Sequence, residues 1–130
     1  MQLPASVIGI GVDIVDIDRF AKVLERTPTF VRRIFTDAES LRPDGELRPA
    51  QSLAARFAAK EAVAKVLVAT HGLKWQHCEV VTTLDGVPSL RITGSVAEAA
   101  ERLGIETWHL SLSHDGGQAI AFVVAEGSRS

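Results

Sequence analysis

One alanine-rich stretch, from about residue 49 to residue 69, constrains the fold most strongly. It contains no glycine and no internal proline, so it predicts the longest helix of the chain, running to about Thr70. At 3.6 residues per turn, one apolar stripe of this helix is expected to face the core. The stripe consists of Leu53, Phe57, Ala64 and Val68. The residues expected to point elsewhere are Arg56, Ala59, Ala62 and Val66.

Three charged residues of this helix lie close to the apolar stripe. Lys60 and Glu61 fall on its margins, and Lys65 follows Glu61 by one turn on the same side. Burying an unpaired charge costs several kcal/mol, so a helix with one solvated side normally keeps its charges there. The pattern predicts polar groups on the packed side of the helix. The alternative is an ordinary surface pair between Glu61 and Lys65.

A β-branched apolar run at residues 7–15 predicts a buried strand that carries a single acidic residue, Asp13. Asp13 either serves a site or simply caps the helix that follows. That helix is predicted from Asp16 to about Arg26. Its basic stripe consists of Arg19, Lys22 and Arg26, and such a stripe is most often a solvated face.

Two capping boxes predict two further helices. Thr36 with Glu39 begins a short helix, and Ser95 with Glu98 begins a helix that ends at Gly104.

Strands are predicted at residues 79–84 and 89–93, and again at residues 108–114 and 119–125, each pair joined by a turn. The predicted fold class is therefore α+β, a mostly antiparallel sheet with one long and several short helices packed on one side.

Length and composition limit the possible functions. The 130 residues are expected to form one domain, with a loose tail at residues 127–130. A formal net charge of −2 gives no general attraction to nucleic acid or to an anionic membrane. A single cysteine, no apolar run long enough to span a bilayer and no signal peptide favour a cytoplasmic location.

Three polar features suggest chemistry: Asp13 in its strand, the charged group on the long helix, and Ser113-His114 at a strand end. Taken singly, each has an ordinary structural explanation, such as a turn histidine for His114. Together they supply two carboxylates, two lysines and an imidazole. Mg²⁺ typically takes one or two carboxylates and fills its shell with water and phosphate oxygens, and lysine is a suitable partner for those phosphates.

Several segments match one family in order. They read G-I-G-V-D-I-V-D-I-D-R-F at residues 9–20, F-T-D-A-E at 35–39, R-F-A-A-K-E-A-V-A-K at 56–65, L-S-H-D at 112–115 and A-I-A at 119–121. With these segments the chain resembles the holo-[acyl-carrier-protein] synthase family of 4′-phosphopantetheinyl transferases, of the short, single-domain, trimeric type. The resemblance covers nearly the whole chain.

The resemblance implies an Mg²⁺-dependent transfer of 4′-phosphopantetheine from coenzyme A to a serine of an apo acyl carrier protein, releasing adenosine 3′,5′-bisphosphate. It implies that Asp13 and Glu61 hold the metal ion and that Lys65 acts with them in catalysis. The residues that it assigns to coenzyme A are Lys60, Lys65, Ser113 and His114, with His114 near the 3′-phosphate.

The resemblance also implies a homotrimer with active sites between subunits, so that His114 of one chain would serve a site with Asp13 of the next. Arg19, Lys22 and Arg26 would then receive the acidic carrier protein. The chain departs from the family at His77-Cys78, where Asp-Ile is usual, and at Val68, where glycine is common.

Two other functions fit the same residues. One is a magnesium-dependent hydrolase of nucleotide phosphates, with water as the acceptor. The other is a catalytically silent module that binds an acidic partner through the basic stripe.

Overall fold

The structure is a computed structural model that describes residues 5–68 and 72–128. Five helices and five strands are described. The helices are α1 (Ile17–Arg26), α2 (Thr29–Ile34), α3 (Asp37–Ser40), α4 (Ala50–Leu67) and α5 (Gly94–Arg102), with a 3₁₀ turn at Trp75–His77. The strands are β1 (Ser6–Asp16), β2 (Cys78–Thr82), β3 (Pro88–Ile92), β4 (Ile105–Asp115) and β5 (Gln118–Gly127).

The strands form two antiparallel sheets. One has the order β1-β5-β4, and the other is the hairpin of β2 and β3. Helix α4 packs on the first sheet, and its small residues share one core with Ala121, Val123 and Ala125 of β5. The predicted α+β class is confirmed, and so are both hairpins. None of the helices in the described ranges is long and apolar enough to cross a membrane.

The other face of the three-stranded sheet carries apolar side chains that this chain leaves uncovered. Ile10 is 59% exposed and Ile14 is 55% exposed. Val12 pairs with Phe122 across the strands, and both are also exposed. A single chain therefore presents a contiguous apolar surface on this sheet.

Helix α4 is buried on more sides than the predicted stripe allows. Arg56, Ala59, Ala62 and Val66 are all buried, whereas Val68, assigned to the stripe, is 83% exposed. The prediction of a single buried face was wrong because α4 lies between the sheet and the elements around β2. Its many alanines allow close packing all round, as in helices enclosed by other elements.

The ends of several elements differ from the predictions. Helix α4 ends at Leu67 because Val68 has φ 64° and ψ −38°, which cannot continue a helix. The predicted end at Thr70 lies outside the described residues. Gly127 belongs to β5, and Ser128 N donates to Gly104 O, so the predicted tail is wrong at its first residues. Residues 129–130 lie outside the description.

The two predicted capping boxes have different outcomes. At α3 the box is confirmed, with Thr36 and Glu39 bonding each other's backbone N–H groups. At α5 it is wrong, because the N-cap is Thr93, whose own side chain makes no capping bond. The Ser95 hydroxyl instead bonds the imidazole Nδ1 of His77 at 2.8 Å and accepts from Lys74 N. A partner distant in sequence has replaced the local one.

Candidate active site

Helix α4 lies close to β1 because the strand carries two glycines. A Cβ atom at Gly11 would be 2.1 Å from the carbonyl oxygen of Ala62, and one at Gly9 would be 2.9 Å from Cγ1 of Val66. A side chain at Gly11 would therefore require the helix to move. This contact brings the second half of α4 against the strand that carries Asp13.

Asp13 and Lys65 form an ion pair across this contact. The Nζ of Lys65 donates to Asp13 Oδ1 at 3.0 Å and to Val12 O at 2.8 Å. An ammonium has three donors, so one remains for a ligand. Asp13 does not cap α1, because that role belongs to Asp16, which accepts from Arg19 N at 2.9 Å.

Glu61 faces the same groove as Asp13. Partial burial raises the pKa of the Glu61 carboxyl, the negative charge of Asp13 raises it further, and Lys65 lowers it. Both carboxylates line a groove of about 440 Å³, together with Asp16, Arg19 and Phe57. Because the two carboxylates repel each other, a cation between them would be stabilised. The described residues contain no group of three or more His, Cys, Asp and Glu side chains placed for a metal ion.

The basic stripe begins at this groove. Arg19 lines the groove, and Lys22 and Arg26 are exposed further along α1. Arg32 and Arg33 on α2 are exposed as well. An acidic partner bound along α1 would therefore reach the edge of the groove that holds Asp13 and Glu61.

His114 lies in a second pocket of about 410 Å³ with Gln51, Ser52 and Arg56. Its Nε2 is 3.0 Å from the amide nitrogen of Gln51. Arg56 is buried, yet its hydrogen-bond partners are neutral: Ser52, and Thr82 Oγ1 at 3.4 Å. Its Nε has no partner among the described residues.

Burial, and next the charge of Arg48, lower the pKa of the Arg56 guanidinium, while Glu39 raises it. A buried cation with neutral partners is suited to hold an anion such as a phosphate. Sequence reasoning missed Arg56 because the helical wheel directed it away from the core. An arginine inside a run of alanines was the available signal.

The two pockets lie on different sides of α4. Asp13 is on β1 and His114 is on β4, with β5 between the two strands. No residue lines both pockets. The structure therefore brings together Asp13, Glu61 and Lys65, but a single chain does not add His114 to them.

Ser113 is not placed with His114 either. Neighbouring side chains of a strand point to opposite faces, and Ser113 pairs with Ile120, which in turn pairs with Ile14 on the uncovered face of the sheet. Ser113 therefore belongs to the exposed apolar face and not to the pocket around Arg56.

Lys60 requires a correction. It is 1% exposed, and its Nζ donates to Glu39 Oε1 at 2.8 Å, to Trp75 O at 3.1 Å and to Cys78 O. These bonds use all three donors of the ammonium. No donor is left for a phosphate, so the phosphate contact implied for Lys60 was wrong. Polar partners on the packed side of α4 were predicted correctly, but the partner of Lys60 is a protein carboxylate.

The structure gives hydrogen-bond partners, distant in sequence, to two residues of the segment around His77-Cys78. Glu79 accepts from Thr36 Oγ1 at 2.7 Å, which links β2 to the capping box of α3. The Nδ1 of His77 accepts from Ser95 N at 3.0 Å. His77 therefore provides a hydrogen-bond acceptor at the start of α5, as an aspartate could.

Comparisons with known proteins agree on the family. Residues 9–123 match the model of the 4′-phosphopantetheinyl transferase superfamily. A holo-[acyl-carrier-protein] synthase from Frankia alni is 62% identical over 121 residues, which are 93% of this chain and 98% of that protein.

Solved structures agree as well. The holo-[acyl-carrier-protein] synthase of Neisseria meningitidis superposes with a TM-score of 0.81 at 31% identity, covering 92% of this chain and 98% of that one. The Helicobacter pylori enzyme in complex with coenzyme A has a TM-score of 0.76 at 29% identity, covering 89% and 98% of the two chains. The groove of Asp13, Glu61 and Lys65 thus lies in a fold shared with these synthases, and the chain belongs to the 4′-phosphopantetheinyl transferase superfamily.

Proposed function

We propose that the protein is a holo-[acyl-carrier-protein] synthase, which transfers 4′-phosphopantetheine from coenzyme A to a serine of an apo acyl carrier protein and releases adenosine 3′,5′-bisphosphate. The observation that carries this proposal is the groove in which Asp13, Glu61 and Lys65 meet at the start of the basic stripe of α1. The similarity to synthases over more than nine-tenths of the chain supports the same conclusion.

Asp13 and Glu61 would hold Mg²⁺ in this groove. The fit is supported by the raised pKa of Glu61, which comes first from burial and next from the negative charge of Asp13. Two carboxylates are sufficient, because Mg²⁺ completes its octahedral shell with water and substrate phosphate oxygens. When bound, the ion supplies positive charge that stabilises the phosphate oxygens during transfer.

The protein's own residues bind and orient the coenzyme. Lys65 has one remaining donor for the pyrophosphate, and its charge assists departure of the bisphosphate. Arg56 and His114 form the anion site that suits the 3′-phosphate. The serine oxygen attacks the phosphorus that bears the pantetheine, and the bond from that phosphorus to the bridging oxygen breaks. Adenosine 3′,5′-bisphosphate leaves with the bridging oxygen, and the serine proton is released to water. Positioning and charge neutralisation account for most of the acceleration.

The proposed assembly is a homotrimer whose active sites lie between subunits. The exposed apolar face around Ile10, Val12 and Phe122 supports association, because such a surface is costly to leave in water. The separation of His114 from Asp13 within one chain also supports it, since a second chain could supply His114 to the groove. We place the reaction in the cytoplasm, where coenzyme A and a reduced Cys78 are expected.

Arg19, Lys22 and Arg26 form the proposed docking surface for the acidic carrier protein. In the Arg26→Glu variant the KM for the carrier should rise at least tenfold while kcat changes little, since Arg26 is remote from the groove lining. The exposed Arg102 on α5 offers a matched control, because its reversal to Glu changes the net charge equally. If Arg26→Glu and Arg102→Glu raise the KM for the carrier equally, the docking role of the basic stripe is contradicted.

The direct test mixes the protein with coenzyme A, Mg²⁺ and an apo carrier protein, and then weighs the carrier by mass spectrometry. A mass gain of one phosphopantetheine supports the transfer. Breakdown of coenzyme A without modification of the carrier would point to a hydrolase, and complex formation alone to a binding module. The Glu61→Gln variant should lose transfer; retained activity with unchanged Mg²⁺ dependence would exclude Glu61 as a metal ligand.

A further inference from the structure

A buried ion pair lies directly beside the proposed metal ligand Glu61. Lys60, its neighbour in α4, pairs with Glu39, and both side chains are inaccessible to solvent. The Glu39 carboxylate also accepts from Thr36 N at 3.0 Å and from Val80 N at 2.8 Å. Neither charge lacks partners, so the pair meets the condition under which buried charges are tolerated.

The pair joins α4 to three other elements. Glu39 belongs to α3, Val80 and Cys78 to β2, and Trp75 to the 3₁₀ turn. The rings of Trp75 and Phe57 pack together with their centroids 5.7 Å apart, and Phe57 lines the groove with Glu61. The bonds of one ammonium therefore tie α4, which carries both Phe57 and Glu61, to α3, to the 3₁₀ turn and to β2.

On the opposite side of α4, the ammonium of Lys65 bonds Val12 O and Asp13 Oδ1 of β1, but this side chain is half exposed and long, and the packing nearest Glu61 is between small groups. There the helix meets β1 through Gly9, Gly11, Ala62 and Val66. Contacts between small apolar groups are non-directional and permit a helix to shift or rotate, whereas hydrogen bonds to a buried ammonium fix distances and angles. The pair is thus suited to set where α4 lies relative to β1.

We propose that the Glu39–Lys60 pair positions Glu61. The pair fixes the rotation of α4 about its axis and its translation along that axis, so that the Glu61 carboxylate faces the groove opposite Asp13. Lys60 and Glu39 are positioning residues that act through Glu61 and do not contact substrate. This inference rests on the proposed function, because it assumes that Glu61 binds the metal ion.

The test measures Mn²⁺ binding by electron paramagnetic resonance in the presence of coenzyme A, with coenzyme A binding measured separately by calorimetry without metal. Lys60→Met removes the three donors and leaves Glu39 unpaired, and Glu39→Gln/Lys60→Met removes both charges. Ile105→Ala, in the core at the start of β4, is a control that lowers stability without touching the pair. Thermal unfolding is recorded for every variant.

We expect Mn²⁺ affinity to fall about tenfold or more in Lys60→Met and in the double variant, as is usual when residues that orient a metal ligand are removed. Metal-free binding of coenzyme A should change less than threefold, and Ile105→Ala should keep its metal affinity. The positioning role is overturned if the double variant is more stable than Lys60→Met and also binds Mn²⁺ as tightly as wild type. It is likewise overturned if Lys60→Met folds and binds Mn²⁺ as tightly as wild type. If Lys60→Met does not fold, the double variant decides.

Failure of the proposed function is distinguishable. A wild-type protein that binds Mn²⁺ but leaves the carrier unmodified would overturn the transfer and leave the positioning result standing. A wild-type protein that binds no Mn²⁺ would overturn both the metal site and this inference.

Discussion

Gly11 is the residue at which a single methyl group should separate the two halves of the proposed active site. In the Gly11→Ala variant the new Cβ would lie 2.1 Å from Ala62 O and 2.9 Å from the carbonyl carbon. Comfortable C···O contacts are about 3.3 Å or longer. The obstacle is main chain of α4, which no rotamer change removes, so the helix must move away from β1 by roughly 1 Å.

This displacement has two measurable consequences. Overpacking of this kind lowers the free energy of unfolding by about 1–3 kcal/mol. A shift of about 1 Å also separates Asp13 from Lys65 and Glu61, and misplacement of that size can reduce the rate about 100-fold. We expect folded protein with a lower melting temperature and roughly 1% of the wild-type transfer rate, measured by mass spectrometry of the carrier.

Gly9→Ala is the matched control. It adds the same methyl group to the same strand, but the nearest atom is a side-chain carbon of Val66 at 2.9 Å, which can move by a few tenths of an ångström. We expect a smaller loss of both stability and activity. A folded Gly11→Ala variant with activity within threefold of wild type would refute the reasoning that the glycine contact sets the site.

Three further substitutions have defined outcomes. Val68→Gly should raise the free energy of unfolding by about 1 kcal/mol in chemical denaturation, because it releases a β-branched residue from a positive φ; Val68→Ala, equally strained, should not. His77→Ala should cost about 1 kcal/mol by removing the acceptor for Ser95 N, and His77→Asp should restore most of it; equal losses would contradict the capping role. Glu61→Gln should raise the melting temperature of the metal-free protein at pH 7, because a raised carboxyl pKa means that the folded state disfavours the ionised form. The stability gained by the variant over wild type should be complete at pH values above the raised pKa of Glu61 and should vanish below the usual carboxyl pKa. A variant that is less stable than wild type at pH 7 would contradict this reasoning.

Elements that depend on neighbouring residues were predictable from the sequence. The hairpin of β4 and β5 follows from alternating apolar residues around a glycine turn, and the capping box of Thr36 and Glu39 forms within one turn of chain. The box at Ser95 satisfied the same pattern and still failed. His77, 18 positions away in sequence, offers its Nδ1 to Ser95 N and hydroxyl, and no local pattern contains that competitor.

The site was predictable only as far as residue type. Lys60 and Lys65 have the same chemistry and lie five positions apart, and the resemblance assigned both to phosphate. Their different roles depend on what packs on each side of α4: Lys60 meets the buried carboxylate of Glu39, while Lys65 meets the rim of β1 at Asp13. A helical wheel with one buried side cannot represent a helix enclosed on several sides.

Arg56 and His114 connect the geometry of one chain to the proposed assembly. Their pocket holds a buried guanidinium whose hydrogen-bond partners among the described residues are neutral, so an anion suits it. The groove of Asp13 and Glu61 holds two carboxylates and the single ammonium of Lys65, so a further cation suits it. Coenzyme A with Mg²⁺ carries both kinds of charge in one ligand. Because the two sites lie on different sides of α4 in one chain, the proposed homotrimer offers a way for one ligand to reach both, with His114 supplied by a second chain.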